Sequence, residues 1–240
     1  MRYLINLTYD GSKFYGYQIQ KNKDTVEGEI EKVLSKILNE NINTIASSRT
    51  DKGVHAINQY CHFDYDKKLD LKKLKHSINS LINDGIYVKN IKKVNNEFHA
   101  RYNVLKKEYV YKINMKEYNP IEKDYVLQYN KKLDRDLIEK FISIVSGKHN
   151  FRSFTSDKDA NNYEREISIS YKISNKILYL RFESSGFLRY MIRNIVGLLL
   201  DINDGKKSIS DIDKIFESKN RCKLGVCAPP EGLYLEKVEY

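Results

Sequence analysis

The chain contains no tryptophan and, in 240 residues, only three cysteines, three prolines and eleven glycines. Cys61, Cys222 and Cys227 cannot form a paired disulfide framework without a leftover thiol, and Cys222 and Cys227 lack the second ligand pair that a structural zinc site requires. No long apolar run exists either. The longest, Ile195 to Leu200, is far too short to span a bilayer, and the opening "MRYLINLTYDG" has no signal-type apolar region. The expectation is a cytoplasmic protein without a membrane segment, a metal or a disulfide. With so little glycine and proline, and no run rich in Gly, Ser and Pro, no flexible interdomain linker is expected.

What the chain does have is charge. Lysine and arginine total 42 against 32 aspartates and glutamates, a formal charge of +10 with an isoelectric point near 9.2. That excess favours a polyanionic partner. A hydrophobic content of 41% is enough for a real core, in one large domain or two small ones.

The periodicities predict one order of elements twice. "YLINLTYD" reads as a strand. Val26, Ile30, Val33, Leu34, Ile37 and Leu38 recur at helical spacing behind Asp24, with Glu27 three residues on marking the helix start. Thr44–Ser48 is a short strand, and His55–Tyr65 alternates apolar Ile57, Cys61, Phe63 and Tyr65 with polar Asn58, His62 and Asp64, a half-buried strand. On it His55 and His62, seven apart, point to opposite faces and share no metal. Leu71, Leu74, Ile78, Leu81 and Ile82 make a second helix behind Asp70, followed by the strand "GIYVKNIKKV". From Tyr102 the series restarts: strand to Ile113, helix Leu133 to Val145, strands Ile167–Ile173 and Ile177–Glu183 around the turn Ser174, Asn175, Lys176, helix Phe187–Ile202, a short helix Ser210–Phe216 and a closing strand "GLYLEKVEY". The expected class is α+β: two ferredoxin-like βαββαβ halves, 1–100 and 101–240, side by side in a continuous, mostly antiparallel sheet, with helices on one side and a basic cleft between the halves.

Three stretches carry candidate chemistry. In "SSRTDKGVHA", Asp51 stands among Arg49, Lys52 and His55, cations that would keep a partly desolvated carboxylate ionised; by residue type alone an Asp with a following Gly is also a common turn. Lys106, Lys107 and Lys112 interleave with Tyr109 and Tyr111, whose rings share one strand face; a base stacked on such a ring gains ~1–3 kcal/mol, although by residue type alone core is the commoner place for either tyrosine. Arg189 and Arg193 are four apart on a predicted helix that is otherwise strongly apolar, so each needs a carboxylate or phosphate opposite.

In sequence order, "YDGSKFYGYQIQ", "TVEGEIEKVL", "SSRTDKGVHA", "FHARYNVLKKEYVYKI", "GKHNFRSF", "GFLRYMIRNIVG" and "APPEGLYL" resemble the tRNA pseudouridine synthase A family almost end to end. Ser48, Tyr17, Asn83 and the "SSGF" at Ser184–Phe187 depart from the family's usual residues. The resemblance implies a cofactor-free isomerisation of uridine to pseudouridine at positions 38 to 40 of the tRNA anticodon arm, by a homodimer. It makes Asp51 the catalytic carboxylate, acting as nucleophile at the sugar C1′ or by promoting loss of a C2′ proton. It makes Arg193 the partner of Asp51, Tyr109 the ring under uracil, and Arg49 the residue that holds the space left by a flipped nucleotide. Lys52, His55, Arg101, Lys106, Lys107, Tyr111 and Arg189 are the further residues expected to meet RNA. Two alternatives share these features: a synthase of this family redirected to another RNA, and a non-catalytic RNA-binding module.

Overall fold

A computed structural model describes residues 1–157 and 160–240. In chain order the elements are β1 (Arg2–Tyr9), α1 (Val26–Leu38), β2 (Ile45–Ala46), β3 (His55–Asp64), α2 (Leu71–Leu81), β4 (Ile86–Val94), β5 (Lys106–Asn114), β6 (Leu127–Gln128), α3 (Arg135–Val145), β7 (Gly147–Asn150), β8 (Glu164–Ser174), β9 (Ile177–Ser184), α4 (Met191–Asn203), α5 (Asp211–Ser218) and β10 (Leu233–Glu239). The class is α+β with mostly antiparallel pairing, as expected from the sequence. Among the described residues no helix is long and apolar enough to cross a membrane. Two compact units are present, Met1–Lys107 with Tyr234–Tyr240, and Glu108–Leu233.

In the first unit the strands run β4-β1-β3, with β1 antiparallel to both neighbours, β2 antiparallel to β3, and β10 parallel to β3 through Tyr234 opposite His55 and Leu235 opposite Ala56. The side-chain period of two sends Tyr3, Ile5, Leu7 and Tyr9 of β1 to one buried face. Tyr3 stacks there on Phe63, its partner in register, with ring centroids 5.4 Å apart. Helix α2 starts where its sequence predicts, because the Asp70 carboxylate accepts from the Lys72 and Lys73 amides. Helix α1 is capped differently from expectation: Thr25 is the N-cap, and Glu27, instead of closing a capping box, accepts from the Ile19 amide at 2.9 Å.

Strand β3 is more buried than its alternation predicts. It has neighbours along both edges, and His55 and His62 on its opposite faces are both 2% exposed. The His62 Nδ1 accepts from the Ala100 amide at 3.1 Å, and burial, then the charges of Arg2 and His99, lower its pKa to about 4. The unfolded chain, with a histidine near 6.5, therefore takes up a proton first as the pH falls. Stability from neutral His62 is complete above about 6.5 and is lost as the pH falls towards 4. Between pH 7 and 5 the wild type should lose about 2 kcal/mol more unfolding free energy than His62→Asn, whose Oδ1 can replace the Nδ1 acceptor; equal losses in urea titrations would refute this.

In the second unit β5, β9, β8 and β7 are successive neighbours, and β6 is parallel to β5. The β8–β9 turn places Asn175 at φ 50° and Lys176 at φ 59°, the left-handed pair that a two-residue hairpin requires. Asp134 caps α3 through the Leu137 amide, and Ile138, Phe141 and Val145 form its buried stripe. Two expectations are corrected. The strand predicted from Tyr102 begins at Lys106, because His99 ties residues 99–103 into a turn, its carbonyl accepting from Tyr102 and Asn103. The helix predicted from Phe187 begins at Met191, because Tyr190 takes φ 61°. Strands β6 and β7 are too short to leave a periodic signal.

Candidate active site

The Asp51 loop is built from a fixed base upward. The Ser47 amide donates to the Tyr60 carbonyl at 2.8 Å, and its hydroxyl to the fully buried Gln59 Oε1 at 2.7 Å. The Gln59 amide group donates in turn to the Ser48 carbonyl at 2.8 Å. Thr50 shares a 2.8 Å hydrogen bond with the Tyr9 hydroxyl, and its carbonyl accepts from the Tyr17 amide at 3.0 Å. The turn itself closes when Val54 donates to the Asp51 carbonyl at 3.1 Å, with Gly53 at φ 81°. Asp51 is left half-buried and Arg49 and Lys52 exposed. A carboxylate presented this way sits on an irregular segment that a rigid scaffold holds in place.

Gly16 shows how closely the next loop approaches. Its φ is 101°, and a Cβ there would stand 3.0 Å from the Thr50 carbonyl oxygen and 3.2 Å from the Lys52 nitrogen. Tyr15, beside it, lies under two ammonium groups, Lys52 at 4.3 Å and Lys23 at 4.4 Å from the ring centroid. Lys52 is thus an exposed cation with a preferred seat, able to meet a phosphate.

Two expected RNA contacts in this unit are corrected. His55 is buried: its Nδ1 accepts from the Gly11 amide at 3.1 Å, and its ring stacks on Tyr234 at 4.6 Å, so it braces the loop from behind. Lys107 is also buried, at 9% exposure, and its ammonium donates to the Ser47 carbonyl at 2.7 Å. Burial, then the charge of Arg101, lower its pKa to about 8. Arg101 itself is exposed, 5.8 Å from the centroid of the Tyr102 ring, and Lys106 is half-buried with Glu239 at 3.7 Å.

In the second unit, Arg193 lies in the first turn of α4. Its Nε donates to the Ala228 carbonyl at 2.8 Å, while the Ala228 amide donates to the Arg193 carbonyl at 3.0 Å. This two-way clasp holds the 226–228 segment against the helix, where Gly197 admits the Val226 backbone. Tyr190 lies beside both guanidinium groups, 5.3 Å from Arg193 and 5.0 Å from Arg189. Arg189, expected to share a helix face with Arg193, stands before the helix and is exposed, so it needs no buried partner.

Tyr109 is 6% exposed and meets Phe187 edge-on at 5.3 Å. Tyr111 is fully buried, its hydroxyl donating to the Pro229 carbonyl at 2.6 Å, and burial pushes its pKa well above the usual tyrosine value. That corrects its expected place on an RNA-facing surface: Tyr111 is core. Gln59, which holds the Asp51 loop from β3, carries no sequence signal beyond β alternation, and the loop-setting contacts of Tyr9 and Thr50 show only in the structure. The "GKHNFRSF" block also proves structural. Its Phe154 carbonyl accepts from Asn194 at 2.8 Å, and the following Thr155 hydroxyl donates to the Arg189 carbonyl at 2.9 Å, fixing the start of α4. Among the described residues no group of three His, Cys, Asp or Glu side chains could hold a metal ion.

A family model described as tRNA pseudouridine synthase matches residues 7–103 and 142–240. Those spans include Arg49, Asp51, Lys52, His55, Arg101, Arg189 and Arg193, and leave Lys106, Lys107, Tyr109 and Tyr111 outside. Among curated relatives, a protein of Geobacillus sp. (strain WCH70) is 39% identical over 243 aligned positions, covering 100% of this chain and 98% of its own. One of Borreliella afzelii (strain PKo) is 40% identical, covering 99% of this chain and 98% of its own. One of Staphylococcus epidermidis is 36% identical, covering 99% and 90%. All three are named tRNA pseudouridine synthase A. Matched by the family model over most of its length and by such relatives from end to end, the chain belongs to the tRNA pseudouridine synthase family.

Proposed function

We propose that the protein converts uridine to pseudouridine at positions 38 to 40 of the tRNA anticodon arm, with Asp51 as the catalytic carboxylate. The observation that carries this reading is the setting of Asp51: a half-buried carboxylate on a loop whose residues 47, 48 and 50 are anchored in a polar network, in a chain of this family. The reaction is an isomerisation. The N1–C1′ bond breaks, the uracil turns while it stays bound, a C5–C1′ bond forms, the C5 hydrogen leaves as a proton, and N1 takes up a proton. No electrons enter or leave, so no redox cofactor is required. Asp51 acts either by attack at C1′ or by promoting loss of a C2′ proton.

In this reading Arg193 is the cation that keeps Asp51 ionised, and its clasp on Ala228 supports the role by fixing the guanidinium. Tyr109 supplies the ring for the uracil, and Arg49, exposed two residues before Asp51, fills the gap left by the extruded nucleotide. Lys52, Arg101, Lys106 and Arg189 supply phosphate contacts, for which the net charge of +10 is suited. The protein works in the cytoplasm as a homodimer.

The test is tritium release from unmodified tRNA carrying 5-tritiated uridine, followed by mapping of the product. Release with pseudouridine confined to positions 38 to 40 is expected. Release from other positions would overturn the site assignment, and tRNA binding without release would leave a binding module.

A further inference from the structure

We infer that Lys107 is a positioning residue for catalysis: its buried ammonium fixes the Ser47 carbonyl at the root of the loop, and through it the carboxylate four residues on. The inference rests on the reading of Asp51 as the catalytic group. Adjacent residues of a strand face opposite ways, and the two lysines at the start of β5 divide accordingly. Lys106 is half-buried beside Glu239, whereas Lys107 is 9% exposed with its Nζ 2.7 Å from the Ser47 oxygen. Among the described residues Lys107 has no carboxylate within 4.0 Å. A cation is costly to bury without a counter-ion, and here it meets a single backbone carbonyl instead. Because its pKa of about 8 leaves the amine largely protonated at neutral pH, the bond is charge-assisted.

That bond completes Ser47. Its amide is held by Tyr60, its hydroxyl by Gln59 and its carbonyl by Lys107, so all three polar groups have partners in the first unit. From this fixed point the chain passes to Ser48, held by Gln59, and Thr50, held by Tyr9, before reaching Asp51. Release of the Ser47 carbonyl loosens the first anchor of that series. Small displacements of a catalytic group have large consequences for rate and little for the affinity of a substrate bound over a wide surface.

Lys107→Met tests the assignment, since it keeps the length of the side chain and removes charge and donor; the unpaired Ser47 carbonyl costs stability and the relief of burying an amine returns it, so the variant should melt within a few degrees of the wild type. Two quantities are read on the full chain: hydrogen exchange of the 47–54 amides, and kcat and KM for pseudouridine formation in tRNA. Expected are exchange about tenfold faster in 47–54 with β3 unchanged, and kcat about tenfold lower at unchanged KM. Unchanged exchange overturns the inference. So does faster exchange with wild-type kcat, which would make Lys107 structural only. A raised KM with the salt slope of tRNA binding reduced by about 1 would return Lys107 to the phosphate-contact role. The exchange result does not depend on turnover, so a wild type that forms no pseudouridine would count against the Asp51 reading and leave the positioning result to stand or fall on its own.

Discussion

Asp51→Asn is expected to abolish pseudouridine formation, lowering kcat by about 10³-fold or more, while tRNA affinity changes less than about threefold. Asparagine is nearly isosteric with aspartate, and the turn is closed through the backbone, by the Val54 amide on the residue-51 carbonyl. The anchors at Ser47, Ser48 and Thr50 do not involve the carboxylate either. The fold should therefore survive, and the change removes the negative charge and one carboxylate oxygen. A melting temperature close to the wild type's, nitrocellulose-filter binding of tRNA close to the wild type's, and no tritium release would together assign the chemistry to this carboxylate. Turnover within tenfold of the wild type would remove Asp51 from the mechanism. A large loss of affinity would instead mean that its main role is to organise the loop for RNA.

Helix α2 and the β8–β9 hairpin could be read directly, because their determinants are local: the Asp70 cap, the apolar spacing from Leu71, and Asn175 at a left-handed position. Helix α4 could not. Phe187 and Leu188 continue its apolar pattern backward, but Thr155 holds the Arg189 carbonyl and Tyr190 turns left-handed, contacts that depend on a segment some thirty residues earlier in the chain.

The candidate site was legible as a set of residue types and illegible as a set of exposures. Arg49, Asp51 and Lys52 lie on the accessible loop that their turn chemistry predicts. His55, Lys107 and Tyr111 carry the same chemistry in sequence, yet each turns inward to a backbone partner: the Gly11 amide, the Ser47 carbonyl and the Pro229 carbonyl. Which of Lys106 and Lys107 meets solvent depends on the facing of one strand, a property decided by β5's neighbours and not by the two lysines. For the same reason a net charge of +10 overstates the cations available to RNA, since Lys107 is spent within the protein.

Gly11→Ala should be severely damaging while leaving every candidate catalytic side chain in place. A Cβ on residue 11 would stand 2.1 Å from the Val54 oxygen, 2.4 Å from its carbonyl carbon and 2.9 Å from its nitrogen. All three are backbone atoms, so no side chain can rotate away, and ordinary contact at about 3.5 Å requires the two segments to part by more than an ångström. Both segments are committed: Gly11 donates to His55, and Asp10 caps the short turn Gly11–Lys13 through the Ser12 amide. Val54 closes the Asp51 turn. The expected cost is about 3 kcal/mol or more in unfolding free energy, with kcat lowered in the molecules that remain folded. Gly186→Ala, where a Cβ would meet nothing within 4 Å, should shift stability by less than about 0.5 kcal/mol. Urea titration and turnover per folded molecule separate the two effects in Gly11→Ala. If stability falls and kcat does not, Val54 has yielded without moving Asp51, and the carboxylate is held from the Ser47 side of its loop, where Gln59 and Lys107 act. If both fall together, the loop needs both of its ends, and the close approach of Gly11 belongs to the catalytic apparatus as much as to the fold.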